Sequence, residues 1–134
     1  MTAHLSTVES AEPVWRIPLP YPTPPLTLNG RMHHMARYRH TKQLRGDAKV
    51  LALAAHLPKG LVRVEIVLHW QPTTRRPRDE DNLTPTLKPL IDGLVDYGLV
   101  PDDDHEHVTS RCRIEPIARF PATWLTITQL EEAA

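Results

Sequence analysis

From Leu61 to Trp70 the chain reads Leu-Val-Arg-Val-Glu-Ile-Val-Leu-His-Trp. Val62, Val64, Ile66, Leu68 and Trp70 alternate with Arg63, Glu65 and His69, the two-residue period of a strand with one face in a core. The remaining segments must therefore supply sheet partners and a cover. Trp15 to Tyr21 alternates large apolar residues with Arg16, Pro18 and Pro20, and its prolines, which cannot donate to a ladder, confine it to a sheet edge. Thr41 to Leu57 carries Leu44, Ala48, Leu51, Ala52 and Ala55 at helical spacing, with Thr41 as the expected N-cap and Pro58-Lys59-Gly60 as its stop. Before it, Asn29-Gly30 marks a turn, and Gly30 to His40 reads as a basic surface loop. A second helix is expected from Thr86 to Tyr97. Thr86 as N-cap puts Pro89 at N3, where no intrahelical donor is missed, and Gly98 suits the C′ position. Two short strands, about Val108 to Glu115 and Thr123 to Thr128, complete the order β-α-β-α-β-β. That order predicts a single α+β domain, residues 14–130, with a mixed, partly antiparallel sheet and two main helices. Residues 1–13 are polar and patternless and are expected to be a disordered tail.

A chain of 134 residues with 40% hydrophobic and 5% aromatic residues can bury one core, and that core must be aliphatic. No stretch approaches the roughly 20 apolar residues of a membrane span. The first residues lack the basic start and apolar run of a secretory signal, and the expected location is cytoplasmic. Cys112, the one cysteine, rules out an intramolecular disulfide and suits a reducing compartment. It is expected as a small buried or half-buried strand residue.

The formal net charge of +0 conceals segregation. Residues 31–78 hold eleven Lys and Arg against Asp47 and Glu65, about +9; residues 79–106 hold nine acids against Lys88, about −8. A polyanion is drawn to the first block and repelled by the second unless cations intervene. Basic side chains that hold phosphates beside carboxylates that hold a divalent ion would produce this pattern. Mutual neutralisation across the fold would produce it as well.

The acidic block opens with Arg78-Asp79-Glu80-Asp81-Asn82. In an extended chain Asp79 and Asp81 point the same way and can present two carboxylates together. Magnesium takes hard oxygen ligands and usually only one or two carboxylates, completing its octahedron with water and phosphate. Such a D-x-D-N string is only weakly specific alone, where a solvated acidic turn is the commoner outcome. Asp102-Asp103-Asp104, beyond the second helix, either adds a third carboxylate or is a hydrophilic loop; it lacks the ligand spacing of an EF-hand. Lys88 either neutralises charge on a phosphate or pairs with Asp92 one turn on. His33, His34, His40, His105 and His107 have no zinc spacing, and no phosphate-binding Gly loop or Gly-x-Ser-x-Gly motif is present.

Taken together, Arg78-Asp-x-Asp-Asn-Leu83, Lys88-x-x-x-Asp92-Gly-Leu94 and Gly98-Leu-Val-Pro-Asp102-Asp103 resemble the RusA family of Holliday junction resolvases, proteins of phages and prophages. The likeness is close over about residues 75–110 and looser over Ile17-Pro-Leu-Pro-Tyr-Pro22; most of the first helix matches only in kind. The resemblance implies a RusA-like α+β homodimer that makes paired symmetric nicks in four-way junction DNA during recombination and repair. It implies Mg²⁺, with Mn²⁺ as a substitute, and no organic cofactor. Asp79, Asp81 and Asp103 would be the metal-binding catalytic carboxylates, with Asp102 able to share the third role, Lys88 the catalytic lysine and Asn82 a supporting neighbour. Arg75, Arg76 and Arg78 would contact phosphates, and Arg31, Arg37, Arg39, Lys42 and Arg45 would grip the junction arms. The chain departs from the family in the longer gap, Leu-Thr-Pro-Thr-Leu, between Asn82 and Lys88. Three other readings are a flap- or fork-selective nuclease on the same fold, a non-catalytic DNA-binding module, and a calcium-stabilised interaction protein.

Overall fold

A computed structural model describes residues 13–130; the expected N-terminal tail, apart from Pro13, lies outside them. Strand β1 (Val14–Pro18), helix α1 (His34–Ala54), strand β2 (Val64–Gln71), a 3₁₀ turn (Glu80–Leu83), helix α2 (Thr84–Tyr97), and strands β3 (Val108–Ile114) and β4 (Ala122–Gln129) follow in that order. This is a small single-domain α+β fold with a mixed sheet of order β1-β4-β2-β3. β4 pairs antiparallel with β1 and β2, whereas β3 runs parallel to β2. A parallel pair requires a crossover, and α2 with its flanking loops provides it.

Register decides which side chains share a face. Ile66 lies opposite Ile127, Leu68 opposite Leu125 and Cys112, and Ile17 opposite Leu125. These residues join Leu44, Ala48 and Ala52 of α1 and Leu87, Leu90, Ile91 and Leu94 of α2 in one aliphatic cluster. The helices therefore cover one face of the sheet. Cys112 is buried as expected, and burial, with smaller contributions from the Asp81 and Glu80 charges, pushes its thiol up to about 11. The other face carries polar and aromatic contacts. His69 stacks on Trp124, bonds Glu115 at 2.6 Å and Thr126 at 2.9 Å, and the Arg16 guanidinium lies over Trp124.

The structure corrects three local expectations. Helix α1 starts at His34, not at Thr41, and is capped by His33, whose Nδ1 accepts from the Met35 N–H at 3.2 Å. The segment expected as a basic loop thus supplies two helical turns. They went unread because they overhang the core, with Met35 and Tyr38 exposed. Helix α2 starts at Thr84, so Thr86 is no N-cap and Pro89 lies inside the helix. The missing N–H costs roughly 3 kcal/mol, but Thr86 has tertiary work: its buried hydroxyl donates to the Leu26 carbonyl (2.7 Å) and accepts from the Leu26 N–H (3.0 Å). Strand β2 begins at Val64, and Val62, expected on its inner face, is 43% exposed. There Leu61 N–H donates instead to Leu99 at the exit of α2. Pro13 lies just before β1, and its carbonyl accepts from Gln129 N–H. Gly98 caps α2 in the left-handed region (φ 103°), as the sequence predicts.

Candidate functional site

Asp79 and Asp81 are not the same-side pair of an extended strand. Asp79 alone is extended; its Oδ1 accepts from the Asp81 N–H at 3.0 Å and caps the 3₁₀ turn that follows. A short polar side chain that satisfies an orphan donor stabilises a helical start, and the positive end of the turn favours its charge. One Asp79 oxygen is thereby committed, and both carboxylates remain exposed. The intervening Glu80 is anchored in the other direction, where its Oε2 accepts from Ile114 N–H at 2.8 Å and ties the turn to the end of β3. Asn82 holds the opposite flank. Its Oδ1 accepts from Asn29 N–H at 2.9 Å, and its main-chain carbonyl accepts from Leu28 N–H at 3.0 Å. The 3₁₀ turn is thus clamped between β3 and the Pro/Thr loop that precedes α1.

Three adjoining depressions meet at this turn. One of about 620 Å³ contains Arg76, Arg78, Asp79, Glu80 and Asp81. A second, about 320 Å³, runs between α2 and β3 and contains Asp81, Lys88, Arg111 and Cys112. The third, about 760 Å³, opens toward the Pro/Thr loop and shares Arg76, Arg78 and Asp79 with the first. Lys88 does not pair with Asp92: its ammonium lies 4.0 Å from Asp103. The helix between the two acidic segments thus brings its lysine beside the second of them. Asp92, half-buried on the next turn, is raised above the usual carboxylate range by burial, opposed by the Arg45 charge and reinforced by Asp103.

Among the described residues no three His, Cys, Asp or Glu side chains surround one point. Asp79 and Asp81 do share a depression, and two carboxylates completed by water and phosphate make an ordinary magnesium set. Asp103 lines neither this depression nor the one that holds Lys88, and lies 4.0 Å from the Lys88 ammonium. Asp102 is turned to the backbone, its Oδ1 accepting from Asp103 N–H at 2.7 Å, and Asp104 caps the Glu106 and His107 amides. Of the adjacent pair, Asp103 is the one that meets Lys88.

The basic residues divide. Arg45 makes a two-pronged bond to Asp96 at 2.6 and 2.8 Å, which holds the Asp96 carboxyl below its usual range and joins α1 to α2. Arg78 donates to the Thr74 carbonyl and hydroxyl at 2.7 and 2.9 Å and lies over the Trp70 ring, so it shapes the loop as well as lining it. Arg75 and Arg76 are exposed beside the acidic turn, while Arg37, Arg39 and Lys42 ride on the overhanging part of α1 and Arg31 just precedes it. From Asn29, fixed to Asn82, only four residues lead to the start of that helix. The contributions of Glu80, Asn29, Thr86 and Trp70 were not read from the sequence. Asn29-Gly30 signalled a turn, but no local pattern indicates which distant residue a turn will touch.

Fold and site together define a small α+β domain with an acidic groove and a basic arm. A protein of Xylella fastidiosa (strain Temecula1) described as uncharacterized is 32% identical over 123 residues, covering 87% of this chain and 77% of that protein. The chain belongs to the same family as that protein. No family model matches it. No described helix is long and apolar enough to cross a membrane.

Proposed function

We propose that the protein is a divalent-metal-dependent endodeoxyribonuclease that resolves four-way DNA junctions in the manner of the RusA family, acting as a homodimer in the cytoplasm. One observation carries the proposal most of the way. Asp81 and Lys88 line one depression, and the Lys88 ammonium lies 4.0 Å from Asp103, so residues of three sequence segments come near one another. The resemblance assigned roles to these same residues. The residue block of about +9 that precedes the groove provides the complement for a polyphosphate.

Asp79 and Asp81 would hold a magnesium ion completed by water and phosphate, which would polarise the phosphoryl group and activate water for in-line hydrolysis to 5′-phosphate and 3′-hydroxyl ends; Asp103 would act beside Lys88. The chain's own residues act around that chemistry. Asp79 fixes the turn that orients Asp81, and Asn82 and Glu80 hold the turn from either side. Lys88, kept near the groove by Asp103, supplies a positive charge where the phosphate becomes more negative. Arg75 and Arg76 place flanking phosphates, and the start of α1 takes an arm of the DNA.

The test is nicking of synthetic four-way, flap, fork and linear DNA of equal length in Mg²⁺, Mn²⁺ and Ca²⁺. Paired symmetric nicks confined to the four-way substrate in Mg²⁺ or Mn²⁺ are expected. Equal cutting of flaps or forks would replace junction selectivity with a broader nuclease. Binding without cutting in any of the ions would leave a non-catalytic DNA-binding module.

A further inference from the structure

The depression on the far side of the acidic turn shares Arg76, Arg78 and Asp79 with the groove, but most of its wall has no part in the hydrolysis just described. It encloses about 760 Å³, within the range of small-ligand sites. Its wall is chemically mixed. Trp70 contributes an aromatic surface, Arg76 and Arg78 contribute guanidinium groups, and Thr27, Asn29 and Asn82 contribute hydroxyl and amide groups. The amide oxygen of Asn82 is occupied by Asn29 N–H, which leaves the Asn82 NH₂ as a donor. Arg78 packs over the indole of Trp70, 4.8 Å from its centroid, so the aromatic wall carries a cation. The indole Nε1–H of Trp70 is buried without a hydrogen-bond partner among the described residues. A buried donor left unsatisfied costs on the order of 1–3 kcal/mol, so this one calls for a physical reason.

Position narrows the occupant further. Arg76, Arg78 and Asp79 line both this cavity and the depression that holds Asp81. A phosphate beside the carboxylates therefore has a neighbouring pocket within one nucleotide's reach, and that pocket offers an aromatic ring, amides and guanidiniums. Nucleobases unstacked from a helix are bound by such groups, stacked on aromatic or guanidinium planes and read along their polar edges. The floor of the cavity is held by the Asn82 clamp on the Pro/Thr loop, so it is preformed.

We propose that this cavity is a base-binding subsite that takes one unpaired nucleotide adjoining the cleaved phosphate, and that it sets the sequence preference at the cut. The proposal rests on the nuclease reading for its role, but not for the binding event. Two arms separate the failures. In the first, metal-free protein is titrated with short single-stranded deoxyoligonucleotides of each base and followed by tryptophan fluorescence. A base-dependent quench is expected. It should vanish in Trp70→Phe, with residual binding measured by anisotropy of a labelled strand, and affinity should weaken about tenfold in Asn29→Ala, one lost polar contact's worth. In the second, cut positions are mapped on four-way junctions that carry every base pair at the branch point. Wild type should favour one base beside the cut, and Asn29→Ala should flatten that preference while still cutting.

No base-dependent quench, together with an unchanged cut-site distribution in Asn29→Ala, overturns the subsite and leaves the nuclease standing. A quench that Trp70→Phe abolishes, in a protein that cuts nothing, supports the pocket and sinks the nuclease. Thr27→Val, which keeps the loop's shape, serves as a second variant, and the same loss of preference is expected from it.

Discussion

The two helices cover the same sheet face but do different work. Of the fourteen residues of α2, eight are buried, and the helix sits between two strands whose parallel pairing it makes possible. α1 is half as long again at 21 residues yet buries only Leu44, Ala48 and Ala52. Its first two turns pack little and carry charge. Length in excess of what a core requires points to use elsewhere, and here the excess begins four residues from a loop bonded to the acidic turn. In the proposed reading α2 would position the chemistry, and the overhang of α1 would offer a surface to a polyanion.

The contrast is easiest to break at Gly93, where the helices touch. A Cβ there would lie 2.1 Å from the Arg45 carbonyl oxygen and 2.7 Å from the Ala48 Cβ. Backbone cannot yield as a side chain tip does, so Gly93→Ala should destabilise by about 3 kcal/mol or more, read from urea unfolding. Leu90→Ala, a cavity in the centre of the core, should cost about 3 kcal/mol. A matching truncation on α1, Val50→Ala, removes a side chain that is 64% exposed and should stay within about 0.5 kcal/mol. If it cost as much as Leu90→Ala, the division between the helices would be false.

Charge sharpens the same comparison. Replacing Arg31, Arg37, Arg39 and Lys42 together by Ala should leave thermal stability nearly unchanged and reduce the salt-dependence slope of junction binding by about 3 to 4. An unaltered slope would place the DNA elsewhere on the molecule. The smallest effect is expected at Arg45, whose guanidinium is bonded to Asp96 of α2. Because it depresses the Asp96 carboxyl, the pair adds stability above the usual carboxylate range and loses it as pH falls through the lowered value. Arg45→Ala should therefore reduce stability slightly at neutral pH and flatten acid unfolding, with little change in DNA affinity.

What the sequence disclosed follows the same division. The alternation through Leu68, the stripe of α2 and the glycine at its end are local patterns tied directly to burial, and they were legible. The start of α1 was not, because turns that bury little leave no periodic trace. Pro89 misled because its local cost is outweighed by the buried Thr86–Leu26 bonds, sixty residues apart in sequence. The site was legible as a set of residues and not as a geometry. Asp79 as a cap, Glu80 as a tether and Lys88 turned to Asp103 rather than Asp92 all depend on where β3 and the Pro/Thr loop pass. Asp102 and Asp103, indistinguishable in a run of three acids, separate once one oxygen of Asp102 is seen to cap the next amide.

The central claim is that the groove along α2 cuts and the arm of α1 holds. Junction binding in Ca²⁺ and nicking in Mg²⁺, measured side by side for wild type, Asp81→Asn and the α1 charge variant, tests it most directly. The account predicts that Asp81→Asn retains binding and loses nicking by at least about a hundredfold, while the α1 variant loses affinity and still cuts at saturating protein. Nicking by Asp81→Asn at the wild-type rate would contradict it.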